Sequence, residues 1–144
     1  MNDKHKYGIL VAVDDKQYTS YLINILHDIF LLHDEHRFEI SHCSYTTELV
    51  EFASKNIDLA IIDHSLLIED GKKLMKTFGT QHPACLNVLL VSDQGGEHIK
   101  DFLQDSEEKE NHLFEDMILK DNYPYKVVFM ILHKQVEKII KNNN

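Results

Sequence analysis

Cysteine is almost missing from this sequence: Cys43 and Cys85 are the two it has, and they form no CxxC or framework spacing. A disulfide-stapled secreted scaffold is thereby excluded, and both side chains read as free thiols in a reducing compartment. No apolar run approaches the length of a membrane span, and the opening Met1-Asn2-Asp3-Lys4-His5-Lys6 lacks the apolar stretch of a signal peptide. These absences point to a cytoplasmic protein with no membrane association. Basic residues are outnumbered, 15 Lys and Arg against 24 Asp and Glu, for a formal net charge of −9. Nonspecific nucleic-acid binding needs a basic surface and does not fit. A divalent cation or a basic partner suits this balance, as does a simple solvated surface. Internal repeats are lacking, and so is low-complexity sequence beyond Asn142-Asn143-Asn144. Ten histidines at 5, 27, 33, 36, 42, 64, 82, 98, 112 and 133 lack zinc-type spacing. His33 and His36 can share a helical face, but no carboxylate or third histidine completes a ligand set.

What is present is the material of one globular domain. The chain has 144 residues, 43% hydrophobic and 27% charged, enough interior to fold unaided as a single domain over 1–144 with its core at about 7–140. Its organising stretch is Asp58-Leu59-Ala60-Ile61-Ile62-Asp63. Four apolar residues without a polar break suit a strand buried on both faces, as in a parallel sheet covered by helices. An aspartate at the carboxyl end of such a strand falls where open α/β sheets place their ligand crevice. From this segment alone, Asp63 can equally cap the next helix or begin a turn.

The rest of the chain supplies four more strands: Tyr7 to Val13, Arg37 to Cys43, Leu86 to Val91 and Phe114 to Leu119. Helical spacing predicts helices from Tyr18 to Leu32, from Thr46 or Thr47 to about Lys55, from Gly71 to Phe78 with Gly79 as its stop, from Glu97 to Gln104, and from Tyr125 to Ile140 after Pro124. Asp105 to Asn111 reads as an acidic polar loop. Five strands alternating with five helices predict an α/β fold: a parallel sheet with helices on both faces and strand order 2-1-3-4-5. That order brings Asp14, Asp15 and Asp63 to one sheet edge, with Ser92 and Lys120 at the ends of the next two strands. Two acids and a backbone carbonyl make an oxygen-rich site of the kind Mg²⁺ accepts. A carboxylate flanked by a cation, an ammonium and a hydroxyl donor is equipped to attack a phosphoryl group and carry it covalently.

In these residues the chain resembles the receiver domain of two-component response regulators, including the single-domain chemotaxis type. The resemblance runs from about Tyr7 to Ile140 and rests on the acidic pair Asp14-Asp15, on Asp63, on Gly71 eight positions beyond it, on Ser92 and on Lys120. It implies a flavodoxin-like fold in which a histidine kinase or phosphotransfer protein passes a phosphoryl group to Asp63. Mg²⁺ would be held by Asp15, Asp63 and the Ser65 carbonyl, with Asp14 acting through water. Ser92 and Lys120 would contact the phosphoryl oxygens. The implied activity is Mg²⁺-dependent self-phosphorylation and slow autodephosphorylation, with no conventional substrate turnover. With one helix following the lysine, the expectation is a receiver domain without an effector domain in this sequence. Its output is then a downstream protein, or an effector domain in a longer chain from which this receiver is excised; a homodimer through the last two helices is compatible with either. Four positions depart from the family pattern: Leu67 and Asp121 replace prolines, Asp93 is larger and more charged than the usual small residue and would narrow the mouth against anionic phosphodonors, and Met117 replaces a switching aromatic, with Tyr123 and Tyr125 nearby in sequence. The alternative these departures favour is a phosphorylation-independent pseudo-receiver, a protein–protein interaction module. A phosphatase-type Asp-x-Asp is absent, and Asp14-Asp15-Lys16-Gln17 is not the phosphate cradle of a flavin carrier.

Overall fold

Strands whose side chains alternate between two covered faces are the feature that builds this molecule. The structure, a computed structural model, describes residues 6–44, 55–67, 71–92 and 114–142. Within them lie β1 (Tyr7–Ala12), α1 (Lys16–Phe30), β2 (Phe38–Cys43), β3 (Leu59–Asp63), α2 (Gly71–Gln81), β4 (Leu86–Val91), β5 (Asp116–Leu119) and α3 (Tyr125–Asn142). Short 3₁₀ turns at Glu35–Arg37 and His64–Leu67 join α1 to β2 and follow β3. The sheet is parallel throughout, in the order β2-β1-β3-β4-β5. This is the expected order and the expected fold class.

Side chains one residue apart on a strand point to opposite faces. Ile9, Val11 and Val13, Leu59 and Ile61, Val88 and Leu90, and Ile118 therefore share one face, where they pack against α1 and α3. Leu10, Ala12, Ala60, Ile62, Leu89 and Val91 form the other, under Met75 and Phe78 of α2. The central strand β3 is buried on both faces along its whole length, which is why its sequence is a continuous apolar run instead of an alternation. At the amino-terminal edge, Gly8 lies against the Asn56 carbonyl, and an added Cβ would meet that oxygen at 1.8 Å. The Gly8 N–H donates to Asp58 Oδ2 at 2.9 Å, and the Asp58 N–H donates to the Gly8 carbonyl at 2.7 Å. Among the described residues, no helix is long and apolar enough to cross a membrane.

Element ends differ from expectation for identifiable reasons. The first helix begins at Lys16 instead of Tyr18 because Asp15 caps it, its side chain accepting from the Gln17 and Tyr18 N–H groups. It ends at Phe30, leaving Leu31 and Leu32 exposed. The helix from Gly71 does not stop at Gly79 but continues to Gln81. Nothing lies within 4 Å of a Cβ built on Gly79, so the residue neither turns the chain nor admits a close neighbour; the stop comes just ahead of Pro83, which bars helical backbone on the residue before it. The fifth strand begins at Asp116, two residues after Phe114, and the second at Phe38 because Arg37 closes a 3₁₀ turn. The last helix extends to Asn142. The helices expected at Thr46 to Lys55 and at Glu97 to Gln104, the acidic loop and Asp93 fall outside the described residues, apart from Lys55 itself, which lies in a bend.

Candidate functional site

Asp63 closes β3 at the carboxyl edge of the sheet, and it is one of three buried polar or charged residues among those described. A carboxylate taken out of water needs compensation from charge or hydrogen bonds, and Asp63 has both. Lys120 Nζ lies 2.8 Å from Asp63 Oδ2, the two side chains only 12% and 4% exposed. The Ser65 N–H, in the 3₁₀ turn that follows β3, donates to Oδ1 at 3.0 Å. Both carboxylate oxygens are thus engaged, one by an ammonium and one by the backbone.

Lys120 reaches this position because the β4–β5 ladder runs one step past its last pair. The Lys120 N–H donates to the Val91 carbonyl at 2.9 Å, which sets Lys120 and Ser92 side by side at the strand ends. A tight turn then begins, with Asn122 and Tyr123 N–H groups donating to the Leu119 carbonyl at 3.3 and 3.0 Å. Asp121 sits in that turn, and its Oδ2 accepts from Ser92 Oγ at 2.7 Å. The residue that stands in the family's proline position therefore holds the serine hydroxyl.

The acidic pair is arranged differently from the sequence expectation. Asp14 and Asp15 are both exposed, and Asp15 Oδ1 is committed to the start of α1, accepting from Gln17 N–H at 2.9 Å and Tyr18 N–H at 3.3 Å. Among the described residues, no group of three or more His, Cys, Asp or Glu is placed to hold a metal ion. Asp15 Oδ1 is taken by the helix cap and Asp63 Oδ2 by Lys120, so a cation held by Asp14, Asp15, Asp63 and the Ser65 carbonyl would share these carboxylates with their present partners.

One participant was not evident in the sequence. Tyr18, which helical spacing assigns to the apolar face of α1, places its ring under the ammonium of Lys120, with Nζ 5.0 Å from the ring centroid. Its hydroxyl is buried and has no hydrogen-bond partner among the described residues. Burial, followed by Tyr21, Asp121 and Asp63 close by, pushes the phenol up from 10.0 to about 12, so it is a neutral O–H donor. The available signal was position: Tyr18 lies in the first turn of a helix that starts at the carboxyl edge of the sheet. Of the other departures, Leu67 is buried beneath α2 and Met117 packs partly buried on that same face, whereas Tyr123 packs on the opposite face. Tyr125 is exposed and donates to Asp28 Oδ2 at 2.6 Å. Neither cysteine joins the site or a disulfide: Cys43 is buried, and burial, with Asp58 next, pushes the Cys85 thiol up to about 12 against a weaker lowering by a backbone hydrogen bond at Ala60. A thiol so placed is not a nucleophile at neutral pH.

No protein-family model matches the sequence, and no curated protein matches it. Solved structures do. A protein described as pilus assembly-related from Burkholderia pseudomallei is 14% identical, with 94% of this chain and 92% of that one covered at a TM-score of 0.65. The signal receiver domain of an HD domain-containing protein from Pseudomonas fluorescens is 18% identical, with 95% and 99% covered at a TM-score of 0.70. A response regulator from Thermotoga maritima is 18% identical, with 94% and 98% covered at 0.65. The chain has the fold of signal-receiver domains.

Proposed function

We propose that this chain is a phosphoacceptor receiver domain, a signalling switch in which Asp63 takes a phosphoryl group from the phosphohistidine of a kinase or phosphotransfer protein. The observation that carries this reading is the buried Asp63 carboxylate at the end of the central strand, ion-paired by Lys120 at 2.8 Å. In the transfer, an Asp63 oxygen attacks phosphorus, the N–P bond to the donor imidazole breaks, and the leaving imidazole nitrogen takes a proton from water. The product is an acyl phosphate. Lys120, already within reach, follows the new charge onto a phosphoryl oxygen, and Ser92 joins it once its hydroxyl leaves Asp121. Attack by water on the acyl phosphate then returns the carboxylate and releases inorganic phosphate. The Mg²⁺ implied by the resemblance would be held by Asp15, Asp63 and the Ser65 carbonyl, with Asp14 acting through water, and would supply charge neutralisation at the phosphoryl group.

A second reading has its own observation. With Ser92 Oγ held by Asp121 at 2.7 Å and no metal-holding cluster among the described residues, the same fold can serve as a phosphorylation-independent interaction module. Its likeness to a pilus assembly-related protein is compatible with that.

Intact mass after incubation with small phosphodonors, neutral and anionic, with and without Mg²⁺, separates the two. A receiver gains one phosphoryl group, and Asp63→Asn abolishes it. A chain that stays unmodified with every donor and with a histidine kinase, and shows no heat on calorimetric titration with Mg²⁺, is the interaction module.

A further inference from the structure

On the face of the sheet covered by α1 and α3, far along the chain from each other, two imidazoles meet. His33 lies just past the end of α1 and His133 in the middle of α3, and their Nε2 atoms stand 3.3 Å apart. Two nitrogens bound to one tetrahedral zinc ion, each at about 2.0–2.1 Å from the metal, stand about 3.3–3.4 Å apart. The pair thus already has the separation of two ligands on one ion. Glu137 follows His133 by one turn of α3, with Oε1 3.8 Å from His133 Nδ1. At that distance the carboxylate makes no hydrogen bond to Nδ1, but its negative charge stands beside the ring and would favour a bound cation. The rings also have aromatic neighbours: Phe38 lies 6.5 Å from His33 and Phe129 lies 5.6 Å from His133, centroid to centroid. Both rings are half-buried, so ordering them costs less than it would on a free surface.

We infer that His33 and His133 form a binding site for a zinc-class divalent cation, clamping the exit of α1 to α3. Imidazole suits zinc, nickel and copper. In the neutral pair one Nε2–H donates to the other Nε2. Binding replaces that shared proton: the donor ring moves its proton to Nδ1, both Nε2 lone pairs turn to the metal, and water completes the coordination. The ion sits off the line joining the two nitrogens, so both rings tip toward it. This clamp lies apart from the Asp63 edge and does not depend on phosphorylation.

The test is a calorimetric titration of the full chain with Zn²⁺ in magnesium-free buffer, with imidazole ¹⁵N resonances recorded in parallel. Expected are one zinc per chain and shifts of the Nε2 resonances of His33 and His133. His33→Ala and His133→Ala should each weaken binding at least tenfold, with circular dichroism confirming that each variant folds. His36→Ala and Asp63→Asn should leave the affinity unchanged. Should a variant fail to fold, the resonance shifts of the wild type decide. Absence of zinc binding, binding lost in Asp63→Asn, or zinc that moves other histidine resonances and not these two would overturn the inference.

Discussion

Asp63, Lys120 and Tyr18 form a stack in which each group compensates for the burial of the next. The carboxylate would be costly at 4% exposure without the ammonium, and the ammonium, at 12% exposure, keeps an aromatic face 5.0 Å away as well as the anion. The Tyr18 hydroxyl is the group left over, buried and unpartnered among the described residues. Its ionisation links stability to pH with a definite sign. The unfolded phenol ionises near 10.0 and the folded one near about 12. Between those values the unfolded chain holds fewer protons than the folded one, so stability is fully present below the lower value and falls as pH rises toward the higher. Tyr18→Phe keeps the ring under Lys120 and removes the ionisation. Urea unfolding should show the variant losing less stability than the wild type across that alkaline window, and near neutrality it should be as stable or more stable by up to about 1 kcal/mol. Equal alkaline losses in the two proteins would contradict the placement of this hydroxyl. At this scale the sequence showed half of the site. Asp63 and Lys120 stand where strand-end logic put them, because backbone ladders fix strand ends. Asp15 and Ser92 turned to local partners, a helix cap and Asp121, which strand-end logic does not weigh. Tyr18 was hidden because a tyrosine at helical spacing looks the same whether it faces core or cleft.

Among the elements, β1 and β3 depend on a single missing side chain. Gly8 pairs across to the chain entering β3, and a methyl there would stand 1.8 Å from the Asn56 carbonyl oxygen. That oxygen belongs to backbone held by the two Gly8–Asp58 hydrogen bonds, at 2.9 and 2.7 Å, so it cannot swing aside as a side chain would. Gly8→Ala should destabilise the fold by about 2–3 kcal/mol, within the range seen for overpacking, and be read as a lowered urea midpoint at unchanged slope. An unaltered midpoint would show that the Asn56 strand entry is free to move. Among the described residues the types of the strands and long helices were legible from periodicity, and β4 even to its ends, because its apolar run is bounded on both sides by polar or turn residues. Boundaries set by side-chain chemistry were less so. Asp15 starts α1 early through its carboxylate, and α2 passes through Gly79 because a glycine with open space around it weakens a helix without ending it.

At the scale of the molecule, strand order is what converts scattered residues into a site. The order β2-β1-β3-β4-β5 brings Asp63 and Lys120, distant in sequence, to the same edge, and it follows from the burial pattern of β3 and from right-handed crossovers. The same winding lays α1 and α3 on one face and so brings together His33 and His133, which no local spacing could reveal. Under the proposed function, the buried, ion-paired aspartate at the end of the central strand is the residue that would carry the acyl phosphate. Borohydride reduction of the phosphorylated protein, followed by peptide mapping, reads this directly, since an aspartyl phosphate is reduced to homoserine. Homoserine at position 63, absent from Asp63→Asn and from the untreated chain, is the predicted result. Homoserine at Asp14 or Asp15, or a phosphorylated chain with none at position 63, would contradict it.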